Sequence, residues 1–188
     1  WLDGPKDSYL GYSNKGGGAL CEHSHALNMW IFLANYLKAG KIERVTSSLD
    51  FHDDGLIKYD KKAIVSLVTN KGISGDLIQD VVSFPTVKTA KVQGDRAYAQ
   101  ITFSHNNRDI INYGLVNEES KEIIYNKTRP QDFIWEVEHV IEILEGKIKY
   151  SPISLDVGIE TMCVIEAIFR SAKEKKEVYV NREIFNYE

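Results

Sequence analysis

The sequence predicts an α+β domain, a predominantly antiparallel open sheet with helices packed on one of its faces. The middle of the chain, residues 42–125, is a succession of β-branched and aromatic runs. Short polar turns such as Asp53-Asp54-Gly55 and Gly94-Asp95 separate these runs, which is typical of antiparallel hairpins. The segments on either side repeat apolar residues every three or four positions, which indicates amphipathic helices.

The first predicted helix runs from Ala19 to Lys38, and Gly40 follows its end. Its apolar face consists of Leu20, Leu27, Trp30, Ile31, Ala34 and Leu37. The predicted strands are Ile42 to His52, Ala63 to Thr69, Ile73 to Phe84, Val87 to Val92, Arg96 to Ser104, Asp109 to Leu115, Glu122 to Tyr125 and Glu177 to Val180.

Two further helices are predicted in the last third of the chain. The first begins near Pro130 and ends before Gly146, with a stripe formed by Phe133, Val137, Val140, Ile141 and Leu144. The second runs from Asp156 to Glu174, and its apolar side carries Ile159, Met162, Cys163, Ile165, Ala167, Ile168 and Phe169.

Composition excludes several classes of function. The 188 residues include 23 basic and 27 acidic side chains, with a net charge of −4, so we expect no nucleic-acid partner, since such surfaces need a basic excess. No apolar run reaches the roughly 20 residues of a membrane span. The two cysteines, Cys21 and Cys163, lie in helical stretches and are expected to be reduced thiols of a cytoplasmic protein.

The segment from Gly16 to Leu33 carries the side chains with the most chemistry. On a continuous helix, Glu22, His25 and Asn28 would share one face, and His23 would point to the opposite side. A carboxylate one turn from an imidazole is a workable proton-transfer pair, because histidine titrates near neutral pH and the carboxylate raises its basicity.

Three other interpretations of this segment stay open. Glutamate and histidine at this spacing also occur on ordinary solvated helix faces. Cys21, Glu22, His23 and His25 are all metal-ligand types, although neighbouring helical residues diverge, so we expect no metal. The run Gly16–Gly18 precedes a helix and is a weaker candidate for a phosphate cradle.

His52, His105 and His139 are expected to be surface or hydrogen-bonded residues.

Several motifs resemble the glucose–fructose oxidoreductase / inositol dehydrogenase family, Gfo/Idh/MocA. Residues 16–33 resemble its catalytic helix, with Glu22, Ser24, His25 and Asn28 at places where many members have an acid, Ser, His and Asp. Val92 to Ala99, the helix with Asp132-Phe133, and residues 154–178 resemble its later strand turn and two closing helices, in the same order.

The resemblance implies a fold and an activity. The chain is expected to be one C-terminal substrate-binding and oligomerisation domain, residues 1–188, of an oxidoreductase acting on a sugar, sugar nucleotide, polyol or similar hydroxy compound. A separate N-terminal domain would bind NAD or NADP. By the same resemblance, His25 would exchange the proton of the substrate hydroxyl, and Glu22 would orient His25 or bind a hydroxyl. Asn28, Lys15, Tyr9 and Tyr12 would contact substrate.

The rest of the protein is expected to lie upstream. The chain has no Gly-x-Gly-x-x-Gly between a strand and a helix, no Glu-Lys-Pro motif and no initial Met, so we expect it to be an excised domain, inactive alone and a poor binder of NAD. The resemblance also implies a homo-oligomer formed through the sheet face. The alternative is a non-catalytic sugar-binding or oligomerisation module on the same scaffold, which the replacement of the usual Asp by Asn28 favours.

Overall fold

A computed structural model describes residues 7–105, 107–126 and 128–183, without the side chain of His105. Two short 3-10 turns, Tyr9–Gly11 and Ser13–Lys15, precede the first helix. The helices are α1 (Gly18–Glu22), α2 (His25–Tyr36), α3 (Gln131–Leu144) and α4 (Leu155–Glu174). The strands are β1 (Ile42–Asp53), β2 (Lys58–Thr69), β3 (Ser74–Asp80), β4 (Thr89–Gln93), β5 (Ala97–His105), β6 (Arg108–Leu115), β7 (Lys121–Asn126) and β8 (Val178–Tyr179).

The predicted helix from Ala19 to Lys38 is wrong in one respect, because it is broken into α1 and α2. His23 leaves the helical conformation, with φ −105° and ψ 34°. Turn bonds replace the helical pattern there, from Ser24 N to Cys21 O and from Ala26 N to His23 O. Serine and histidine are only moderate helix formers, so the interruption costs little. Glu22 and His25 therefore end one helix and begin the next, instead of sharing a helical face.

Among the described residues, the first compact unit comprises residues 7–83 and 152–183. Its four-stranded sheet has the order β3-β2-β1-β8 with antiparallel pairing. Alternate residues of the strands face inward, and the inner face is covered by α1 and α4, as expected for a half-covered sheet. The buried core lies on this side and includes Leu27, Ile31, Val45, Val65, Leu67, Val164 and Ile168.

The second compact unit spans Phe84–Ser151 and contains α3 and the antiparallel meander β4-β5-β6-β7. The helix predicted from Pro130 is confirmed, but none of its residues is buried. The stripe residues range from 42% exposed at Val140 to 81% exposed at Leu144. Within the described part of the chain, the apolar side of α3 therefore has no full cover.

The predicted α+β class, with antiparallel strands and helices on one face of a sheet, is confirmed. The sequence does not predict the division of the strands into two sheets, because the pattern from Ile73 to Phe84 predicts one continuous strand. That strand ends at Asp80, whose carboxylate accepts hydrogen bonds from Val82 N at 2.9 Å and from the Ser83 hydroxyl at 2.8 Å. An aspartate that binds the backbone two residues onward closes a local turn.

The structure also bears on the expectations for the cysteines and for membrane-spanning segments. Cys21 and Cys163 are both free thiols, with Cys163 buried and Cys21 half-buried. Of the helices in the described residues, none combines the length and apolarity needed to cross a membrane.

Candidate functional site

The loop before α1 is fixed to the sheet by a buried aspartate. Asp60 on β2 is fully buried, and its Oδ2 accepts a hydrogen bond from Leu20 N at 2.8 Å. Its Oδ1 accepts from the Ser13 hydroxyl at 2.9 Å, while Ser13 Oγ accepts from Asp60 N at 3.1 Å. Burial raises the pKa of the Asp60 carboxyl, and these hydrogen bonds partly oppose that rise.

Gly18 lies against this carboxylate. Its φ of +95° is in the left-handed region, and a Cβ at this position would overlap the Asp60 side chain. The glycine run therefore lets the backbone approach Asp60 closely at the beginning of α1. An internal carboxylate occupies the place that a phosphate would need, so the structure gives no support to a phosphate cradle at Gly16–Gly18.

Sequence reasoning missed Asp60, since the strand there was predicted to begin only at Ala63. One signal was available: Asp60 lies next to Tyr59 and shortly before Ala63, at the beginning of an alternating apolar pattern. Buried carboxylates are rare unless hydrogen-bonded, so an acid in such a run indicates an anchoring role.

Glu22, at the end of α1, is hydrogen-bonded to another predicted site residue, Tyr9. The Tyr9 hydroxyl donates a hydrogen bond of 2.6 Å to Glu22 Oε2. This bond to a carboxylate raises the pKa of Tyr9, because removing its proton would place two negative charges together. Two predicted site residues thus lie together on the protein surface. In the described residues, no hydrogen bond joins Glu22 to His25.

His25 is the first residue of α2 and is exposed. Its ring makes no hydrogen bond or ion pair with any residue that the structure describes. His25 lies in the lining of a groove of about 380 Å³ between α2 and α4. The groove is lined by Ser24, His25, Asn28, Leu155, Gly158, Ile159, Thr161 and Met162.

Asn28, one turn beyond His25, lines the same groove and is held in place by α4. Its Nδ2 donates to Thr161 Oγ1 at 3.2 Å, and the Thr161 hydroxyl in turn donates to Val157 O at 3.0 Å. Thr161 is buried. This chain of hydrogen bonds fixes the Asn28 amide beside His25, where one turn of helix brings two side chains to the same face.

Lys15 and Tyr12 form a separate pair. The Lys15 ammonium lies 4.2 Å from the centre of the Tyr12 ring, a cation–π contact, and Tyr12 forms a parallel β-bridge with Lys58. Neither side chain lines the groove that contains His25. The predicted site residues thus fall into three groups: Tyr9 with Glu22, Tyr12 with Lys15, and His25 with Asn28.

Of the three histidines expected to be surface or hydrogen-bonded residues, His52 and His139 have partners, and the side chain of His105 lies outside the described residues. His52 pairs with Asp54 at 3.4 Å and stacks on Tyr59, and the His139 ring is hydrogen-bonded to Ser151 Oγ at 2.8 Å. Within the described ranges, no group of three histidine, cysteine or acidic side chains could hold a metal ion.

No family model matches the sequence, and no curated protein matches it. Several solved structures are similar to this chain in fold. The aldose-aldose oxidoreductase from Caulobacter crescentus, complexed with glycerol, aligns over 94% of this chain and 52% of its own, with TM-score 0.72 and 19% identity. Levoglucosan dehydrogenase, complexed with NADH and levoglucosan, aligns over 96% and 56%, with TM-score 0.75 and 14% identity.

A third similar structure is the WlbA dehydrogenase from Bordetella pertussis, in complex with NADH and UDP-GlcNAcA. It aligns over 95% of this chain and 54% of its own, with TM-score 0.65 and 17% identity. The chain has the fold of the C-terminal domain of Gfo/Idh/MocA-type oxidoreductases. The family resemblance predicted from the motifs is thereby confirmed at the level of fold. The chain spans about half the length of these solved structures.

Proposed function

We propose that the chain is the substrate-side domain of an NAD(P)-dependent oxidoreductase that acts on a sugar, sugar nucleotide, polyol or similar hydroxy compound. The observation that supports this most directly is the exposed ring of His25 in the groove between α2 and α4, which makes no hydrogen bond or ion pair with a residue that the structure describes. Two of the solved structures that share the fold are complexes, one with NADH and levoglucosan and the other with NADH and UDP-GlcNAcA. An exposed imidazole beside a groove of this size suits exchange of a hydroxyl proton.

The proposed chemistry divides between this chain and the cofactor. Oxidation of a hydroxyl to a carbonyl releases one proton and one hydride; a nicotinamide held by a separate dinucleotide-binding domain would supply the hydride acceptor. His25 takes the proton from the hydroxyl in this direction and returns it in the reverse reaction. Asn28, fixed by Thr161, donates a hydrogen bond to a second hydroxyl or accepts one from it. Since Asn28 carries no charge, it positions the ligand and leaves proton transfer to His25.

Glu22 is proposed to act at the edge of the site. Its partner in the structure is Tyr9, so the pair offers a carboxylate and a phenol to a hydroxyl-rich ligand that reaches beyond His25. Orientation of the His25 ring by Glu22 would require a rotation of that carboxylate away from Tyr9. Lys15 and Tyr12 are proposed as outer substrate contacts on the same N-terminal loop.

The glycine run Gly16–Gly18 is not proposed as a dinucleotide site. The glycine-rich turn before α1 faces the Asp60 carboxylate, and the cofactor phosphates would be repelled by a second negative charge there. The proposal therefore assigns NAD or NADP to a separate dinucleotide-binding domain. We expect the isolated chain to be inactive and to bind NAD poorly.

The role of His25 is tested by His25→Ala in a protein that carries this domain together with a dinucleotide-binding domain. We expect turnover with the best sugar or polyol to fall about 100-fold or more, the usual contribution of a general base. Cofactor affinity should stay near that of the unmodified protein, because His25 lies outside any cofactor contact that we propose. Turnover is followed by the absorbance of the reduced nicotinamide, and cofactor affinity by fluorescence titration.

A matched control is His52→Gln, at the end of β1, whose ring contacts Asp54 and Tyr59 away from the groove. It should leave turnover unchanged. Unchanged turnover in His25→Ala would contradict the proposed role of His25. A protein that binds sugars but turns none of them over would favour the alternative, a non-catalytic sugar-binding module. The observation that favours this alternative is the uncharged Asn28 at a position where many members of the family have Asp.

Association through a sheet face is the second part of the proposal. The outer face of the first sheet is mainly polar, but Ile64 on β2 and Ile78 on β3 are directly paired and exposed. A partly apolar, accessible sheet face suits contact with a second copy. Sedimentation of the chain and of its Ile78→Lys variant tests this, since a lysine there should shift the protein towards monomer.

A further inference from the structure

Gly158 has no local structural reason to be glycine. It is the only glycine of α4 and lies within the first turns of this 20-residue helix. Its φ lies outside the left-handed region, and a Cβ at this position would meet no atom of the described residues within 4 Å beyond the adjacent backbone of its own helix. Apart from proline, glycine is the least favourable residue inside a helix. Neither backbone conformation nor packing inside the domain therefore explains the residue.

The position of Gly158 supplies a reason. It lies in the lining of the groove between α2 and α4, together with His25 and Asn28. Among the described residues, a side chain here would project into open space, because no atom beyond the adjacent backbone of the helix lies near its Cβ. The glycine therefore leaves free a volume that an alanine would reduce and a leucine would largely fill.

The groove also has a distinctive chemistry. Leu155, Ile159 and Met162 of α4 are apolar, and Ser24, Asn28 and Thr161 are neutral polar groups. Among the described residues of the lining, His25 is the only titratable side chain. A smaller cavity of about 140 Å³ between the same two helices is lined partly by Lys41, Asp156 and Glu160. The lack of charged side chains therefore distinguishes the groove at His25 from this neighbouring cavity.

We infer that Gly158 is a specificity-determining residue that keeps this groove open for an uncharged, hydroxyl-bearing ring or chain. The ligand places its apolar C–H face on Leu155, Ile159 and Met162 and its hydroxyls towards His25 and Asn28. A carboxylate or phosphate on this part of the ligand would be desolvated without a cationic partner, which is costly. The inference rests on the proposed function and adds the charge class of the substrate and the residue that admits it.

The experiment uses the two methionines of the chain as probes. Met162 lines the groove and is 44% exposed, whereas Met29 is half-buried and outside the lining. The chain, labelled with carbon-13 at the methionine methyl groups, is titrated separately with glucose, myo-inositol, glucuronate and glucose 6-phosphate. We expect at least one neutral ligand to shift the Met162 signal, leave Met29 nearly unchanged, and bind at least 10-fold more tightly than both anions.

Variants at Gly158 test the residue itself. Gly158→Leu should weaken binding of the neutral ligand at least 10-fold, and Gly158→Ala should have a smaller effect while raising the melting temperature. Ala26→Leu is the matched control, because it adds bulk at an exposed position of α2 outside the groove lining. It should bind as the unmodified chain does. Circular dichroism establishes that each variant is folded, and Gly158→Ala provides the binding result if Gly158→Leu is not.

Three results would overturn the inference: no Met162 shift with either neutral ligand, equal or tighter binding of an anion, or undiminished binding by folded Gly158→Leu. Failure of the proposed function is distinguishable from these. If neutral ligands bind and Gly158→Leu weakens them, but His25→Ala leaves turnover unchanged, the groove and Gly158 stand and the catalytic role of His25 falls.

Discussion

At the scale of single residues, the buried Asp60 side chain fixes the loop before α1 to strand β2. It is fully buried, yet Leu20 N, the Ser13 hydroxyl and its own backbone amide bind it into one network that holds the loop before α1. Because α1 ends at Glu22 and α2 begins at His25, the position of both proposed site residues depends on this anchor. Asp60 is therefore a positioning residue for the groove.

Asp60→Asn should lower the free energy of unfolding by about 1–3 kcal/mol at low pH, since an amide replaces one acceptor among buried donors. Burial raises the folded-state pKa of Asp60 above its ordinary value of 3.8. Between these two values the folded protein holds a proton that the unfolded chain has released, so the stabilising contribution of Asp60 is lost as pH rises through the folded pKa. The deficit of the variant should therefore shrink with rising pH.

Urea unfolding of the unmodified chain and of Asp60→Asn across a pH series measures this difference directly, and effects of other groups cancel in the comparison. A deficit that grows as pH rises would mean that the hydrogen bonds to the carboxylate outweigh its burial. The matched control is Asp50→Asn on the outer side of β1, where Asp50 is exposed and pairs with Lys61.

The sequence predicted the relative positions of some site residues correctly and of others incorrectly. His25 and Asn28 were predicted to share a surface, and both line one groove, because a single turn of α2 separates them. Glu22 was predicted on the same face from a continuous helix, but the turn at His23 and Ser24 separates it from them. Asp60 and Gly158 were not singled out, since their importance depends on neighbours that are distant in sequence.

At the scale of elements, local patterns were sufficient to predict most helices and strands. Alternation and short turns indicated β1 and β5 to β7, and apolar spacing indicated α3 and α4. The end of β3 at Asp80 and the break between α1 and α2 were missed. Both are set by side-chain and turn hydrogen bonds that end an element while the apolar pattern continues.

The contact between α4 and β1 depends on a serine pair rather than on apolar packing alone. Ser171 Oγ accepts a hydrogen bond from Ser47 N at 3.0 Å and donates to Lys176 O at 2.7 Å. Ser47 Oγ donates to Ile168 O at 2.6 Å. Ser171 is fully buried. The pair thus joins the end of the helix, the loop after it and the neighbouring strand.

Ser171→Ala should lower the free energy of unfolding by about 1–3 kcal/mol, because it leaves a backbone donor and a carbonyl without their partner. Ser48→Ala is the control, since Ser48 follows Ser47 but is exposed on the outer face of β1; it should change stability by no more than about 0.5 kcal/mol. Both are measured by urea unfolding. Equal losses in the two variants would show that the serine pair contributes nothing specific.

At the scale of the whole molecule, burial is distributed unequally. The hydrophobic side chains classed as buried in the described residues all belong to the first unit, and none lies between Phe84 and Ser151. The sequence gives no sign of this difference, because both units have regular strands and an amphipathic helix. Apolar spacing indicates which residues could share a face, but the surface that covers that face is decided by tertiary structure.

The two units should therefore differ in local stability. We expect native-state hydrogen exchange to be slowest in β1, β2 and α4, whose residues form the buried core, and faster by at least about 10-fold in β5, β6 and α3. Few buried apolar contacts resist opening of the second unit, so it should open while the first stays folded. Mass spectrometry of exchanged peptides measures both, and a dilution series separates opening from protection by association. Equal protection of β5 and β1 at every concentration would show that the strands of the second unit open only with the first, in which case the low burial of Phe84–Ser151 would not control its stability.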